Sequence, residues 1–197
     1  MSSKRFLDFT AACCGMLLLA PLFLVTALAI RLDSPGPVFF RQKRIGRGFK
    51  PFFIFKFRTM VTDAEKRGAL ISTGDDPRIT AVGGFLRKYK IDELPQLINV
   101  IRGEMSLVGP RPEVPRYVER FRRDFGEILQ VRPGITDFAS LEYKDENELL
   151  RGCSNPEEKY LSEILPAKIV YCKKYLREQS MATDLKLIFK TIWGILS

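Results

Sequence analysis

The sequence contains no histidine, and it therefore lacks the side chain that serves most often as a general base or metal ligand near neutral pH. Any chemistry must depend on carboxylates, hydroxyls, thiols, amines or a bound hard cation. Cysteine is also sparse. Cys13 and Cys14 are adjacent, Cys153 and Cys172 stand alone, and no C-x-x-C pair indicates a zinc or redox site. The pattern is typical of reduced thiols in a cytosolic compartment, and a catalytic cysteine would have no histidine partner.

The composition excludes a disordered or low-complexity chain. The 197 residues are 46% hydrophobic and 28% charged, which is enough for one domain with a packed core. Lysine and arginine together number 32 against 23 acidic residues, so the net charge is +9. This balance favours anionic partners, which include phosphate-bearing substrates, anionic lipid and nucleic acid.

Residues 9–30 form an apolar run of 22 residues without a charged side chain. As a helix the run would be about 33 Å long, enough to cross a bilayer core of about 30 Å. Three interpretations fit. Lys4, Arg5 and the sequence Ala27-Leu28-Ala29 resemble a cleaved secretory signal. The alternatives are a spanning anchor and a re-entrant helix that enters and leaves by the same face.

Two features favour the re-entrant arrangement. Pro21 lies near the middle of the run, where its ring and missing N–H bend a helix. Both flanks are basic, with eight cations against one anion between residues 31 and 60, and cationic flanks stay cytoplasmic. We therefore expect a re-entrant membrane segment at residues 1–33, broken at Pro21, followed by a cytosolic, membrane-associated domain at residues 34–197.

The pattern after residue 34 predicts an α+β domain that is mostly helical. Residues 38–44 and 52–58 are typical of two strands joined by a turn at residues 46–48. Lys56 and Arg58 share one face of the second strand, most simply a solvated basic face. Helices are predicted at residues 82–88, 94–101, 115–129 and 183–196. The last helix is amphipathic, which suits either core packing or the membrane interface.

Asp92 and Glu93 are adjacent carboxylates at a predicted helix start. In the simplest interpretation Asp92 is an N-cap and Glu93 interacts with the helix dipole. A helix start also binds phosphate, and Arg87, Arg111 and Arg132 lie nearby in sequence, the last two beside prolines. In a chain without histidine, an Asp nucleophile with an adjacent Glu as proton acceptor is the most economical machinery for attack on phosphorus.

At these residues the chain resembles the bacterial sugar transferases known as small monotopic phosphoglycosyl transferases. The resemblance covers roughly residues 4–140 and is strong because several long motifs occur in the family's order. The motifs are KFRTM (56–60), DPRIT (76–80), LRK (86–88), DELPQLINVIRGEMSLVGPRPE (92–113), VRPGIT (131–136) and a terminal DLKLIFKTI (184–192).

The resemblance implies an enzyme on the cytoplasmic face of the bacterial inner membrane, held by a re-entrant helix-break-helix. It implies transfer of a sugar-1-phosphate from a UDP-sugar to a polyprenol phosphate, usually undecaprenyl phosphate, with release of UMP. This is the first membrane step of glycoconjugate assembly. The family's partners are the donor, the lipid acceptor and the bilayer, with no nucleic acid.

The resemblance also implies the site residues. Asp92 matches the nucleophile that forms a covalent phosphosugar-aspartyl intermediate, and Glu93 matches the partner thought to assist deprotonation of the polyprenol phosphate. Mg²⁺ is required beside this dyad, with Asp92 as its expected ligand. Candidate phosphate or nucleotide contacts are Lys56, Arg58, Arg87, Arg111 and Arg132.

Two departures from the family pattern stand out. The helix break reads Ala20-Pro21 where many relatives have Ser-Pro, and Asp137 follows Thr136 where relatives often have glycine. Residues 142–171 match no motif, so the donor sugar stays open, as does the oligomeric state. Two other functions remain: a membrane-tethered binding protein for anionic lipid or nucleic acid, and a hydrolase that shares the phosphate site.

Overall fold

The computed structural model describes residues 3–64, 71, 73 and 76–196. In these residues helices predominate beside one antiparallel and one parallel pair of strands, so the predicted mostly helical α+β fold is confirmed. The helices are α1 (Ser3–Leu18), α2 (Ala20–Asp33), α3 (Ala81–Lys88), α4 (Gln96–Arg102), α5 (Pro115–Arg120), α6 (Arg122–Ile128), α7 (Phe138–Glu142), α8 (Glu146–Leu149), α9 (Pro156–Lys159), α10 (Leu165–Glu178) and α11 (Met181–Leu196). The strands are β1 (Phe39–Ile45), β2 (Pro51–Phe57), β3 (Ser106–Val108) and β4 (Gly134–Thr136).

The apolar run folds into α1 and α2, which meet at Leu19 with a bend of 61°. Pro21 lies in the first turn of α2, where its missing N–H costs no helical hydrogen bond. The predicted break near Pro21 is confirmed. Among the described residues no single helix is long and apolar enough to cross a membrane, whereas the bent pair reaches that length and hydropathy when both helices are counted.

Polar contacts hold α1 against the rest of the domain. The buried carboxylate of Asp8 accepts hydrogen bonds from the Ser106 hydroxyl at 2.7 Å and from the Leu107 N–H at 3.2 Å. The Lys4 ammonium forms an ion pair with Asp184 in α11. Because an unsatisfied buried polar group costs about 1–3 kcal/mol, these contacts fix the orientation of α1 on β3 and α11.

β1 and β2 form the predicted antiparallel hairpin, with Arg41 opposite Phe55 in the register. A 3₁₀ turn at Arg47–Phe49 connects the strands. The expectation of a solvated basic face on β2 is wrong, because Arg58 is only 6% exposed and Lys56 is half-buried. Both cations find partners on segments that are distant in the sequence.

β3 and β4 pair in parallel, and the sequence pattern did not predict either strand. Gly134, the first residue of β4, also lies close to the backbone of Gly109, which follows β3. A Cβ atom on Gly134 would lie 2.0 Å from the backbone nitrogen of Gly109. Glycine at these two positions therefore lets the backbone of the GPRP motif lie against that of the VRPGIT motif.

Two predicted helices differ from the structure. The helix expected at residues 115–129 is divided into α5 and α6 at Phe121, which lets Tyr117 and Phe125 both reach the same buried cluster. The last helix begins at Met181 rather than at residue 183, because the Ser180 hydroxyl accepts a hydrogen bond from the Thr183 N–H and caps it.

The apolar face of α11 is largely exposed. Leu187 is buried, but Leu185, Phe189 and Trp193 are 62%, 67% and 66% exposed. The prediction that the apolar face of α11 packs into the core is therefore wrong for most of that face. The membrane-interface alternative stays a prediction.

Candidate active site

Asp92 and Glu93 lie in a 3₁₀ turn at Ile91–Glu93 that precedes α4. Lys90 enters this turn in the left-handed backbone region, with φ of 54°. The N-cap interpretation of Asp92 is wrong, because α4 begins at Gln96 and the residue before it is Pro95. Asp92 is buried, and its Oδ1 accepts no hydrogen bond from any residue that the structure describes.

The carboxylate of Glu93 is held by two cations from different segments. Lys56 Nζ donates to Oε1 at 2.8 Å, and Arg111 NH1 donates to Oε2 at 3.0 Å. Arg111 NH2 also bonds Oε1, so the guanidinium grips both oxygens. Such a fork is the strongest arrangement for an arginine and a carboxylate. It joins β2, the turn at Ile91–Glu93 and the GPRP motif in one unit.

The two neighbouring carboxylates differ in their electrostatics. Burial acts to raise the pKa of Glu93, but the charges of Arg111 and Lys56 outweigh it and hold that pKa well below its ordinary value. Burial raises the pKa of Asp92, and the charge of Glu93 adds to the increase, while Lys56 and Arg87 oppose it. Glu93 is therefore the carboxylate that stays ionised, and Asp92 is the more basic of the two.

Arg87 is brought to the site by a close contact between α3 and the end of β2. A Cβ on Gly83 would lie 2.1 Å from the carbonyl oxygen of Thr59, so glycine permits α3 to lie against this backbone. Arg87 then donates to the Thr59 hydroxyl at 2.8 Å. Burial lowers the pKa of Arg87, and the charge of Asp92 is the largest opposing influence, which indicates how close the two groups are.

A cavity of about 920 Å³ opens over these residues. Its cationic part includes Lys56, Arg87 and Arg111 beside Asp92 and Glu93. One further wall comes from α11 and another from residues 143–147. The volume is in the range of pockets that hold drug-sized ligands. Three cations from β2, α3 and the GPRP motif thus converge with Asp92 and Glu93 on one site.

Arg58 directs its guanidinium to backbone carbonyls. Its guanidinium donates to the carbonyls of Ile30, Ser34, Pro35 and Pro37 and to the Ser34 hydroxyl, at 2.7–3.3 Å. These acceptors lie at and just beyond the end of α2. Arg58 also lines the cavity, but all of its donors are engaged by these acceptors, where they stabilise the end of the helix and the chain that follows it. Substrate binding by Arg58 stays a prediction.

Arg132 also lies away from the dyad. Its Nε donates to the Gly103 carbonyl at 2.8 Å, at the end of α4. Burial lowers the pKa of Arg132, and so does the charge of Arg5, which places it in a different basic neighbourhood. It is not among the residues that line the cavity. Of the five expected contacts, the structure thus places Lys56, Arg87 and Arg111 in the cavity beside Asp92 and Glu93, and Arg58 lines it with its donors already engaged.

Sequence reasoning missed several polar residues around the cavity. Arg44 lines it and donates to the Pro112 carbonyl at 3.1 Å and to Gln42 Oε1 at 2.7 Å. Strand alternation places Gln42 and Arg44 on one face of β1, and this signal could have identified the pair. Lys168 and Asn147 also line the cavity, but they belong to the segment that matched no motif.

Only one of the two carboxylates of the site is placed to bind a hard cation such as Mg²⁺. Among the described residues no cluster of three Asp, Glu, Cys or His side chains could hold a metal ion. Mg²⁺, however, is often bound by one or two carboxylates together with substrate phosphates. Asp92 fits that pattern through its unpartnered Oδ1, whereas both oxygens of Glu93 are already taken by cations.

Comparison with known proteins gives a consistent family. The family model described as "Bacterial sugar transferase" matches residues 1–197. An Aeromonas hydrophila protein named UDP-N-acetylgalactosamine-undecaprenyl-phosphate N-acetylgalactosaminephosphotransferase is 39% identical over 98% of this chain and 44% of its own length. The UDP-glucose:undecaprenyl-phosphate glucose-1-phosphate transferase of Escherichia coli is 38% identical over 96% of this chain and 39% of its own length. The protein of the same name from Caulobacter vibrioides is 39% identical over 98% of this chain and 70% of its own length. The chain thus spans less than half the length of the first and second of these relatives.

Proposed function

The chain belongs to the bacterial sugar transferase family, and from this premise we propose that it transfers a sugar-1-phosphate from a UDP-sugar to undecaprenyl phosphate and releases UMP. The names of the relatives support both the class of donor and the lipid acceptor. In this proposal the enzyme works at the cytoplasmic face of the bacterial inner membrane.

The observation that carries the proposal is the environment of Asp92. A buried carboxylate oxygen without a described hydrogen-bond partner lies among Lys56, Arg87 and Arg111 at a cavity of suitable size. A nucleophile that attacks a diphosphate needs the negative charge of its target neutralised, and the cations meet this need. A raised pKa makes Asp92, when ionised, a stronger nucleophile than a solvated carboxylate.

The reaction proceeds in two displacements. A carboxylate oxygen of Asp92 attacks the phosphorus that bears the sugar, the bond from that phosphorus to the bridging oxygen breaks, and UMP leaves with the electron pair. The sugar-1-phosphate is then an acyl phosphate on Asp92. A phosphate oxygen of undecaprenyl phosphate attacks the same phosphorus, the bond to Asp92 breaks, and the free carboxylate and a diphosphate-linked lipid result.

Glu93 has a positioning role in this scheme. A carboxylate whose pKa is held well below its ordinary value is a weak proton acceptor near neutral pH, so the expected role as a base is less favoured than that of an anchor. Glu93 orients Arg111 and Lys56 toward the donor phosphates. Mg²⁺, held by Asp92 and the donor diphosphate, would supply further charge neutralisation when bound.

A re-entrant α1–α2 pair would keep the site at the bilayer surface. The exposed apolar side chains of Leu17, Leu18 and Leu24, which are 78%, 80% and 74% exposed, support contact with lipid. The exposed face of α11 supports the same conclusion. A lipid acceptor that never leaves the membrane requires such a location.

The test uses the full chain in detergent or nanodiscs. Asp92→Asn abolishes UMP release from UDP-sugars in the presence of undecaprenyl phosphate, while circular dichroism stays that of the wild type. Asp124→Asn is the matched control, since Asp124 is partly exposed and pairs with Lys173 away from the cavity. Full activity of a folded Asp92→Asn variant would refute the assignment.

The acceptor distinguishes a transferase from a hydrolase. Without undecaprenyl phosphate, the wild-type protein releases about one UMP per enzyme and stops, because the covalent intermediate has no acceptor. A hydrolase would continue to turn over. Digestion of the trapped protein should place the phosphosugar adduct on the peptide that contains Asp92.

A further inference from the structure

Residues 143–147 form a wall of the cavity that the mechanism above does not use. Two lysines fix this wall from different sides. Lys90 precedes the turn that carries Asp92, and its Nζ donates to the Lys144 carbonyl at 3.3 Å. Lys168 Nζ, on α10, donates to Glu146 Oε2 at 2.7 Å. The wall is thus attached both to the turn that carries Asp92 and to α10.

The attachment through Lys168 continues into the core. Lys168 is only 6% exposed and also donates to the Tyr160 hydroxyl at 3.3 Å. That hydroxyl in turn donates to Glu113 Oε1 at 2.7 Å. Because this chain of hydrogen bonds ends on buried residues, the wall is held in place before any ligand arrives, which reduces the entropic cost of binding.

The wall lines the same cavity as Asp92 and Glu93. Glu93 is the main cause of the raised pKa of Arg111, and Glu146 contributes in the same direction. Glu146 is paired with Lys168, and Lys144 and Asp145 carry opposite charges, so the charges of this part of the cavity nearly cancel. It therefore differs from the cationic part formed by Lys56, Arg87 and Arg111.

The chemistry of the remaining walls narrows the possibilities. Ile188 and Ile192 give the α11 wall an apolar surface that suits a lipid chain. The hydroxyls of Thr136 and Ser140 are already engaged, with Thr191 at 2.6 Å and with Asp137 at 2.7 Å. By contrast, the carboxamide of Asn147 lines the cavity half-buried and forms no hydrogen bond with any described residue.

On the premise of the proposed function, we propose that residues 143–147 bind the sugar of the donor and that Asn147 determines which sugar is accepted. A carboxamide presents both a donor and an acceptor, which match a pyranose hydroxyl or an acetamido group. Attack by Asp92 on the sugar-linked phosphorus places the sugar next to the cationic part of the cavity, where this wall of opposing charges begins.

The experiment compares wild type, Asn147→Ala and Asn147→Ser on UDP-glucose, UDP-galactose, UDP-N-acetylglucosamine and UDP-N-acetylgalactosamine. Loss of one hydrogen bond lowers kcat/KM for the preferred UDP-sugar about 3- to 10-fold. The ratio of its kcat/KM to that of the other UDP-sugars becomes smaller. Inhibition by UMP, which lacks the sugar, stays unchanged. Glu148→Ala is the matched control, since Glu148 lies on α8 but is exposed and paired with Arg151.

Two results would overturn the inference. If the ratio between donors stays that of the wild type, Asn147 does not select the sugar. If UMP inhibition weakens together with all donors, the wall binds the nucleoside instead. Asn147→Ser retains a small polar side chain and gives a folded comparison if Asn147→Ala does not fold.

The proposed function and this inference fail separately. No UMP release by the wild type with any donor would refute the function. Calorimetry with UDP-sugars and UDP on Asp92→Asn, with and without Asn147→Ala, still tests the wall without turnover. The inference predicts weaker binding of the preferred UDP-sugar and unchanged binding of UDP, and equal effects on both ligands would refute it.

Discussion

Replacement of Arg58 by methionine should destabilise the protein without changing its affinity for the donor. Methionine preserves much of the aliphatic volume but removes five hydrogen bonds to the end of α2 and the chain beyond it. Hydrogen bonds to charged groups contribute about 1.5–3 kcal/mol each when buried, and the acceptors nearer the surface regain water. Ile30 is the buried acceptor residue, at 2% exposed.

We therefore expect a loss of about 3 kcal/mol in the free energy of unfolding, well below five times the value of one buried bond. For a chain of this size that corresponds to a decrease in Tm of about 6–12 °C. The measurement is thermal unfolding in one detergent, with KM for the UDP-sugar determined below the transition. Arg47→Met is the control, since Arg47 is exposed in the turn between β1 and β2.

The opposite pattern would refute this account of Arg58. An unchanged Tm together with a several-fold increase in KM would mean that the guanidinium contacts the donor, as the family resemblance implies. A decrease in Tm equal to that of Arg47→Met would mean that the contacts with the end of α2 contribute nothing measurable.

Two further substitutions test the backbone and the ion pairs of the site. Gly134→Ala should lower the free energy of unfolding by more than about 3 kcal/mol, because its Cβ would lie 2.0 Å from the Gly109 nitrogen. The control is Gly126→Ala in α6, where a Cβ meets no atom within 4 Å, and this variant should be neutral or stabilising in the same thermal assay. Arg111→Lys keeps the charge but loses the two-pronged contact with Glu93, so kcat/KM should fall at least about 10-fold and Tm should decrease as well. Activity within twofold of wild type would contradict the positioning role of Glu93.

The sequence predicted the local elements of the fold better than their partners. Alternating aromatic and basic residues and the glycines at 46 and 48 identified the β1–β2 hairpin, and Pro21 identified the helix break. The parallel pair β3–β4 has only three residues in each strand and was missed, since such short segments carry no periodicity. Its true signals are Gly109 and Gly134, whose need for close approach becomes evident only in three dimensions.

The site shows the same division. Motif matching pointed to Lys56, Arg87 and Arg111, and the structure places them around Asp92 and Glu93. It pointed equally to Arg58, which also lines the cavity, because the spacing of cations along a strand does not reveal that this guanidinium donates to the end of a helix. The wall at residues 143–147 was inaccessible to motif matching, because contacts such as that from Lys168 to Glu146 join residues 22 positions apart.

The ion pair between Lys4 and Asp184 joins residues 180 positions apart. A ribosome adds about 5–20 residues per second, so α1 emerges roughly 10–35 s before its partner in α11 exists. Asp8 meets Ser106 earlier, since only 98 positions separate them. The contact of Asp8 with Ser106 can therefore form during synthesis before that of Lys4 with Asp184, and the apolar surface of α1 lacks the contact with α11 until α11 has been made.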